Sequence, residues 1–413
     1  MAGTTPGTPR VLRAMNDRAA LDLLLAHGPL SRGRIGKLTG LSKPTASQLL
    51  ARLEAAGLVV VTGTSEGRPG PNAQLYAVNP AAAYVAGLDV SPTRLRAAVA
   101  DITGRTVGTH EVPTPGRRST GAVPLVLQAV DGAAKAAGVH RADLQRVVIG
   151  TPGAFDPSTG RLRYASHLPG WHAPTLLDEL AAALPMPLEY DNDVNLVAVA
   201  EQRQGAAGGH EDFVLLWNEE GLGAAVVIGG RLHRGWTGGA GEVGFLPVPG
   251  TPLVRQPAQA NSGGFQELAG ANAVLRLARE LALPYDPQAE MKDTAADLLS
   301  RATAEARGEE REEERDPAHA AAYDTLLRRF ATGLATGLAS LVTVLDPQLI
   351  VVSGGVLAAG GEPLLDLIRA ELSELAVPRP QLVLGTVTDH PVLSGALESA
   401  LATTRDEVFD TSR

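Results

Sequence analysis

The chain has 413 residues, of which 44% are hydrophobic, 20% are charged and 4% are aromatic. This composition is typical of a globular protein and excludes collagen-like, coiled-coil and disordered chains, while the length predicts two or three domains. Cysteine is absent, which excludes disulfides, zinc thiolate sites and cysteine nucleophiles. Neither a secretory signal nor an apolar run of membrane-spanning length is present, so we expect a cytoplasmic protein with no membrane partner.

The charge is distributed unevenly along the chain. The formal net charge is −9, yet residues 1–80 contain nine basic and four acidic side chains. The remaining residues contain 27 basic and 41 acidic side chains. A small basic module joined to a larger acidic body predicts that the first domain binds a polyanion.

The first 80 residues predict three short helices. The first covers residues 15–27, with Asn16 as its N-cap and Gly28 at its end. Ser31 caps the second helix, whose apolar residues Ile35 and Leu38 are spaced for one face. Gly40 then provides a tight turn between the second and third helices.

The third helix begins at Ser42, carries Pro44 in its first turn and ends at Gly57. Two β-rich runs follow, residues 58–62 and 73–78, which flank a Gly/Pro loop. Together these elements predict a winged helix-turn-helix, in which the start of the third helix lies in the DNA major groove.

The predicted DNA-binding residues lie on this helix and on the wing. They are Ser42, Lys43, Thr45, Ser47 and Gln48 on the helix and Arg68 at the wing tip. Arg68 is expected to contact phosphate or the minor groove. A small helical domain that binds protein is the alternative, and the wing together with the positive charge favours DNA.

From residue 84 onwards, strands alternate with helices, which predicts an α/β fold. A hairpin, a glycine loop and a helix follow one another near residue 85 and again near residue 213. This recurrence predicts two related lobes with a cleft between them.

Several motifs in this body resemble those of the ROK family, which comprises repressors, open reading frames and sugar kinases. The motifs are GTPGAFD, YDNDVNLVAVAE, GGRLHRGWTGGAGEVGF, GGFQELAG and IVVSGG. The resemblance implies an actin-like, two-lobed sugar-kinase fold behind the winged helix-turn-helix. It divides the chain into a DNA-binding domain at 1–80, a first lobe at 81–202 completed by a helix at 388–410, and a second lobe at 203–387 that serves for dimerisation.

The phosphate-binding loops depart from those of the family's kinases. Where the first loop has Asp-x-Gly-x-Thr, this chain has Ser91 and Pro92, which add a side chain and remove an N–H donor. Where the second has Gly-Thr-Gly-x-Gly, this chain has Glu219 and Glu220, whose charges repel phosphate. The third glycine pair, Gly354-Gly355, is intact. These departures predict a non-enzyme with no catalytic residue and no cofactor.

The sugar site matches the family better. The resemblance assigns hydroxyl-binding roles to Asn192, Asp193, Glu242 and Glu267, and it places Gly153 and Trp171 at the border of the site. Carboxylates suit this role because they accept hydrogen bonds from neighbouring hydroxyls. The alternatives are a helix N-cap for Asn192-Asp193, solvated acids for the two glutamates and a core position for Trp171.

The family's zinc site is lost. Phe245 stands at the family's His, and Ala258, Ala260 and Phe265 stand at its cysteines, so no donor set remains and we expect no metal. Apolar replacements predict that this loop packs by burial instead. Phe245 also removes a polar contact that the family's His makes with sugar.

The leading hypothesis is a DNA-binding transcriptional repressor that senses a carbohydrate-like effector and binds double-stranded operator DNA as a homodimer or homotetramer. One alternative is an ATP-dependent sugar kinase that also binds DNA. The other is a DNA-binding regulator that needs no ligand.

Overall fold

The computed structural model describes residues 9–65, 73–114, 121–156, 161–163, 168, 171, 173, 175–219, 221–255, 263–308 and 317–412. The chain forms two compact units. The first combines Met1–Gly150, Leu168–Tyr190 and Ala396–Arg413, and the second combines Thr151–His167 with Asp191–Gly395. No helix in the described part of the chain is long and apolar enough to cross a bilayer.

The first unit begins with a winged helix-turn-helix, as the sequence predicts. Its helices are α1 (Pro9–His27), α2 (Arg32–Thr39) and α3 (Lys43–Ala55), and its strands are β1 (Leu30–Ser31), β2 (Val59–Thr64) and β3 (Gln74–Val78). The strands form an antiparallel sheet in the order β1-β3-β2.

Local signals set most of these helix ends. The side chains of Ser31 and Ser42 accept hydrogen bonds from the first turns of α2 and α3, and Gly40 ends α2 in the left-handed conformation. Two predictions were wrong. Because α1 already begins at Pro9, Asn16 lies inside the helix and cannot cap it. Leu38 is 39% exposed, because the buried side of α2 consists of Ile35 and Gly36.

The core of this module includes residues from far along the chain. Leu21, Leu49 and Leu53 pack together in it, as the helical spacing predicts. Ile102 and Phe409 belong to the same buried cluster although neither lies within residues 1–80. The C-terminal segment of the chain therefore completes the core of the N-terminal module.

Two five-stranded sheets form the rest of the fold. The first sheet contains β4 (Tyr84–Val90), β5 (Arg94–Asp101), β6 (Thr106–Pro113), β7 (Leu144–Thr151) and β10 (Leu188–Asn192). The second contains β11 (Phe213–Asn218), β12 (Leu222–Ile228), β13 (Arg231–Leu232), β14 (Leu349–Ser353) and β15 (Gln381–Leu384). Strands β8 (Ala154–Asp156) and β9 (Arg161–Arg163) form a separate hairpin.

Nine helices accompany these sheets in the described part of the chain. They are α4 (Ala122–Ala136), α5 (Leu176–Ala183), α6 (Asp193–Gln204), α7 (Phe265–Ala269), α8 (Ala271–Glu280), α9 (Met291–Arg307), α10 (Pro317–Leu345), α11 (Gly355–Leu375) and α12 (Pro391–Val408).

The two sheets repeat one topology. Their strand orders are β6-β5-β4-β7-β10 and β13-β12-β11-β14-β15. In both, the first two pairs are antiparallel and the third, β4–β7 or β11–β14, is parallel. Every residue of β11 and β14 is buried, as expected for strands covered on both faces. The repeat confirms the predicted pair of related α/β lobes.

Candidate functional site

The start of α3 presents polar side chains to solvent. Ser42, Lys43, Thr45 and Gln48 are exposed, and Ser47 is half-buried. The Ser42 hydroxyl lies 2.8 Å from the Thr45 hydroxyl and accepts the Thr45 N–H, while Ser47 donates to the Lys43 carbonyl. These hydrogen bonds join residues three or four positions apart and fix the first turn of α3, while Lys43 and Gln48 remain exposed to solvent. Arg68, predicted at the wing tip, lies outside the described residues.

Arg32 is a candidate DNA contact that the sequence analysis missed. Its guanidinium, at the start of α2, donates to the Ser47 hydroxyl of α3 at 3.1 Å. Arg32, Arg34, Lys37 and Lys43 are all exposed, and the described part of the chain places no carboxylate in an ion pair with any of them. A row of unneutralised cations beside a helix-turn-helix is typical of a phosphate-binding surface.

An ion pair between a buried carboxylate and an exposed arginine holds the far end of α3. The carboxylate of Asp17, buried on α1, lies 2.6 Å from the Arg52 guanidinium. The Thr411 hydroxyl donates to the other oxygen of Asp17 at 3.1 Å. The orientation of α3 thus depends on both α1 and the C-terminal segment.

In the second unit, Asn192 holds the start of α6. Its side-chain oxygen accepts the N–H groups of Val194 at 2.8 Å and Asn195 at 3.3 Å, so it is the N-cap. Its amide donates to the Gly153 carbonyl at 3.0 Å, and Gly153 adopts a left-handed φ of 88°. Asn192 and Gly153 are therefore in direct contact, and half-buried Asp193 follows in the first turn of α6.

Asp191 and Arg234 form an ion pair next to these residues. The Arg234 guanidinium donates twice to one oxygen of the buried Asp191 carboxylate, at 2.6 and 3.1 Å. The other oxygen accepts from the side chain of Asn195 at 2.8 Å. The pair ties the loop after β13 to the start of α6, and sequence reasoning missed it because 43 positions separate its members.

Glu242 lies at the end of that loop, beside β12. The Gly241 carbonyl accepts the Ala224 N–H of β12 at 2.9 Å, and a β-carbon on Gly241 would lie 1.9 Å from the Ala224 oxygen. Only glycine fits this close approach. Burial raises the pKa of the half-buried Glu242 carboxyl, since an apolar setting disfavours its charged form.

Glu267 has a cationic partner. On α7, its carboxylate lies 3.0 Å from the guanidinium of Arg276, which also donates to the Glu267 carbonyl. The turn that carries Glu242 joins this helix through a hydrogen bond from the Phe265 N–H to the Leu246 carbonyl at 2.9 Å. All five predicted sugar-binding residues lie in the second unit, whereas Trp171 lies buried in the first.

Phe265, which the resemblance aligns with a cysteine of the family's zinc loop, packs by burial. Its ring is fully buried, and a β-carbon on Gly337 would lie 2.2 Å from it. Phe245 is half-buried. The described residues contain no cluster of three side chains able to bind a metal. Ala258 and Ala260 lie outside the described residues.

The first phosphate-loop position is a closed turn between β4 and β5. The Ser91 hydroxyl donates to the Arg94 carbonyl at 3.0 Å and accepts the Arg94 N–H at 3.2 Å. The Ser91 backbone N–H also donates to the Arg94 carbonyl, at 2.9 Å. These groups hydrogen-bond to one another across the turn.

At the second loop, a carboxylate caps the glycine pair. The Gly355 N–H, at the start of α11, donates to the side chain of Glu219. The two loops meet because β11 and β14 are parallel neighbours whose last paired residues are Trp217 and Ser353. Helix N-termini bind anions, and here the protein supplies its own anion. Glu220 lies outside the described residues.

Two family models and several known proteins match the sequence of this chain. The ROK family model matches residues 85–396, and a MarR family model matches residues 8–68. A glucokinase of Halalkalibacterium halodurans is 29% identical over 72% of this chain and 87% of its own length. A putative xylose repressor of Caldicellulosiruptor sp. is 24% identical over 90% of both chains.

A solved ROK family transcriptional regulator, described as a homologue of the Escherichia coli MLC protein, has the same fold. It superposes with a TM-score of 0.70 at 19% identity and covers 97% of this chain and 98% of its own. The ROK model covers most of the sequence, and a MarR-type module precedes it. The chain therefore belongs to the ROK family.

Proposed function

We propose that this protein is a transcriptional repressor of carbohydrate-utilisation genes whose affinity for operator DNA falls when a sugar binds its ROK domain. One observation carries the proposal: a single chain combines two features. The first is a helix-turn-helix whose exposed basic side chains have no carboxylate partner among the described residues, and the second is a ROK domain in which the Glu219 side chain accepts the N–H of Gly355, in the glycine pair of a phosphate loop. The similarity to a putative xylose repressor along nearly the whole chain supports it.

The DNA-binding part rests on α2 and α3. Lys43 and Gln48 are exposed at the start of α3, where a winged helix-turn-helix contacts base edges. Arg32 lies beside them, bonded to Ser47, in a position suited to the phosphate backbone. A two-fold symmetric homo-oligomer would place two such helices on successive turns of DNA.

The effector part rests on the acids of the second unit. Asp193 begins α6, Glu242 is half-buried in a setting that raises its pKa, and Glu267 is held by Arg276. Partly desolvated carboxylates accept strong hydrogen bonds from hydroxyl groups, as a sugar requires. Asn192 positions the start of α6 rather than binding sugar, because its side-chain oxygen caps that helix and its side-chain NH₂ donates to the Gly153 carbonyl.

We propose further that the protein has no kinase activity. The Glu219 carboxylate already accepts the Gly355 N–H, and a phosphate at the same helix start would meet that negative charge. At the first loop, the hydroxyl and the backbone N–H of Ser91 both donate to the Arg94 carbonyl, so these donors are already used within the turn. The similarity to glucokinases is the reason to test this point directly.

The test is a gel-shift titration with a duplex that the protein selects from a random pool. It is run at fixed salt with and without D-glucose, D-xylose, N-acetyl-D-mannosamine or D-glucose 6-phosphate. We expect tight DNA binding without sugar and a weakening of about fivefold or more with one of these compounds, in line with usual allosteric couplings. Failure to select any duplex would contradict the DNA-binding part, and unchanged affinity with every sugar would contradict the effector part.

A further inference from the structure

Glu201, on the last turn of α6, is a fully buried acid. One oxygen of its carboxylate accepts the Ala206 N–H at 2.7 Å and the Thr386 hydroxyl at 3.4 Å, and the other accepts the Val387 N–H at 2.9 Å. All the donors that the described part of the chain provides are neutral. Because a charge is costly to bury without a cation, we expect this carboxylate to do something that an apolar side chain could not.

The hydrogen bonds of Glu201 join α6 to the segment that leads into α12. Thr386 and Val387 lie in the connection between β15 and α12. A second contact lies on α12 itself, where a β-carbon on Gly395 would lie 1.8 Å from the Leu196 carbonyl oxygen of α6. Only glycine allows this approach, so the first turns of α12 lie directly against the backbone of α6.

The helix α6 also begins at the proposed sugar site. Asp193 is its first residue and Asn192 is its N-cap. Leu196 and Glu201, which contact α12 and its connection, lie on the same helix within about 12 Å of that start at 1.5 Å per residue. Since a packed helix moves as one body over such a distance, a displacement of its first turn displaces both contacts.

The helix α12 is shared by the two compact units. Its residues up to Gly395 belong to the second unit, and those from Ala396 onwards belong to the first. Near its other end, Arg405 donates to the Ile102 carbonyl at 3.0 Å. Ile102 and Phe409, which follows α12 directly, are buried in the core of the DNA-binding module together with α3. One uninterrupted helix thus runs from the contacts with α6 to this core.

Other elements also pass from one unit to the other, but they do not enter that core. The unit boundaries after Gly150 and Tyr190 fall in β7 and β10. Both strands lie in the first five-stranded sheet, and neither contributes to the described core of the DNA-binding module. The helix α12 is therefore the element best placed to carry a change from the second unit to α3.

We propose that α12 transmits effector binding from the second unit to the DNA-binding module, with Glu201 as the positioning residue that couples α6 to α12. An effector at the start of α6 favours one position of that helix, and Glu201 and Gly395 pass the displacement to the start of α12. The far end of α12 then alters the packing beneath α3. The inference rests on the proposed function and adds the route by which the effector site controls DNA binding.

The experiment uses the full-length protein and compares three variants with a control. Glu201→Gln replaces one acceptor oxygen by an NH₂ group, Glu201→Ala removes both oxygens, and Gly395→Ala places a methyl group against the Leu196 carbonyl. The control is Arg203→Ala, which alters an exposed side chain on the same turn of α6. If Glu201→Ala fails to fold, the other two variants carry the test.

Three quantities are measured for each protein. Gel-shift titrations give DNA affinity with and without whichever of D-glucose, D-xylose, N-acetyl-D-mannosamine and D-glucose 6-phosphate releases the wild type. Calorimetric titration gives the affinity for the same sugar. Amide hydrogen exchange is recorded without sugar, so that coupling between the units is measured independently of the effector.

We expect Glu201→Gln and Gly395→Ala to keep sugar affinity within about threefold of the wild type and DNA affinity without sugar within about twofold. The weakening of DNA binding by sugar should fall from about fivefold or more to less than about twofold. Exchange should become faster from residue 396 onwards in α12 and in α3, although the substitutions lie in the second unit. Arg203→Ala should match the wild type in all three measurements.

A full sugar response in Glu201→Gln and Gly395→Ala, with unchanged exchange from residue 396 onwards, would overturn the inference and leave the proposed function intact. An equal fall in sugar affinity and in sugar response would also overturn it, because Glu201 would then support the sugar site rather than transmit its state. A wild type whose DNA binding responds to none of the four sugars would overturn the proposed effector function together with the inference.

Discussion

Glu242 and Glu267 have the same kind of side chain, but their carboxylates lie in different surroundings. Glu242 lies beside β12, where burial raises the pKa of its carboxyl. Glu267 lies on α7 with the guanidinium of Arg276 at 3.0 Å. A charged Glu242 therefore costs the folded protein stability, whereas a charged Glu267 gains an attractive partner.

The substitution Glu242→Gln tests the first of these effects. A folded-state pKa above the ordinary 4.5 favours the protonated form, so the wild type loses stability as the pH rises from about 4.5 through the raised pKa. Glutamine does not ionise and escapes this loss. We expect the melting temperature of the variant to exceed that of the wild type at about pH 7 and to approach it at about pH 4.

Glu267→Gln is the matched control for this series. It removes a half-exposed ion pair with Arg276, so we expect a loss of at most about 1 kcal/mol at neutral pH, opposite in sign to the effect at Glu242. A Glu242→Gln variant that is less stable than the wild type at neutral pH would contradict the assigned burial effect.

The sequence predicted some of these residues and missed others for a physical reason. Asn192 was identified both as a cap and as a site residue, and the cap is confirmed because capping depends on the next three residues. Arg32 and Arg234 were missed because their partners lie 15 and 43 positions away.

Among the elements, α2 and α3 were predicted with nearly correct ends. Ser31, Gly40 and Ser42 act on their own helix ends, so local sequence is sufficient. The start of α1 was misplaced because Asn16 is a good cap residue, yet the helix already begins at Pro9, a residue type that fits a first helical turn, and residues 9–13 are exposed. The long helices α9 and α10 were not predicted.

Substitutions on α2 and α3 separate base readout from phosphate binding. Gln48→Ala should cost about 1–3 kcal/mol on the selected duplex and relax sequence preference at one position. Arg32→Ala should weaken binding to all duplexes similarly and lower the salt dependence by about one counterion. The measurements are gel-shift titrations at several salt concentrations.

The control for this series is Glu54→Ala, which alters an exposed side chain on the last turn of the same helix. It should leave affinity unchanged or raise it slightly through loss of a negative charge. Wild-type affinity in both Gln48→Ala and Arg32→Ala would mean that another surface binds DNA.

The hydrogen bond between Glu219 and the start of α11 leads to a prediction about stability and a prediction about ATP consumption. Glu219→Ala removes the side chain that accepts the Gly355 N–H and should lower the free energy of unfolding by about 1 kcal/mol. We expect no sugar-dependent consumption of ATP above background by the wild type or by this variant in a coupled assay. Sustained turnover by the wild type would contradict the non-enzymatic proposal.

For the molecule as a whole, the core of the N-terminal module is not made by its own sequence alone. Phe409 is buried in it, the Thr411 hydroxyl binds Asp17, and the Asp406 carboxylate lies 2.8 Å from the Arg18 guanidinium. Sequence reasoning described this module from residues 1–80 because contacts across more than 300 positions leave no local pattern. The predicted division into three domains stays a prediction.

Phe409→Ala tests this contribution. Truncation of a buried phenylalanine should cost about 3–5 kcal/mol, concentrated in the N-terminal module. We expect faster amide hydrogen exchange in α3 and weaker DNA binding, although no residue of the DNA-facing surface has changed. Phe409→Leu retains most of the apolar volume and should keep most of the protection of α3 amides from exchange. If α3 exchanged equally fast in Phe409→Ala and in the wild type, packing of Phe409 in this core would contribute nothing to the module.

We propose that sugar bound in the second unit controls DNA binding by α3 in the first. The most direct measurement is a gel-shift titration of wild type, Asp193→Asn and the control Asp389→Asn, which alters an exposed carboxylate of the same unit. Each protein is titrated with and without the sugar that releases the wild type. Because a ligand shifts an equilibrium only by its differential affinity for two states, loss of one hydroxyl acceptor is enough to remove a coupling of about 1–3 kcal/mol.

We predict that Asp193→Asn binds the selected duplex as tightly as the wild type in the absence of sugar and no longer releases it when sugar is added, while Asp389→Asn responds fully. An equal sugar response in wild type and Asp193→Asn would contradict the account by placing the effector elsewhere. Equal loss of DNA binding with and without sugar in Asp193→Asn would contradict it by making Asp193 a structural residue.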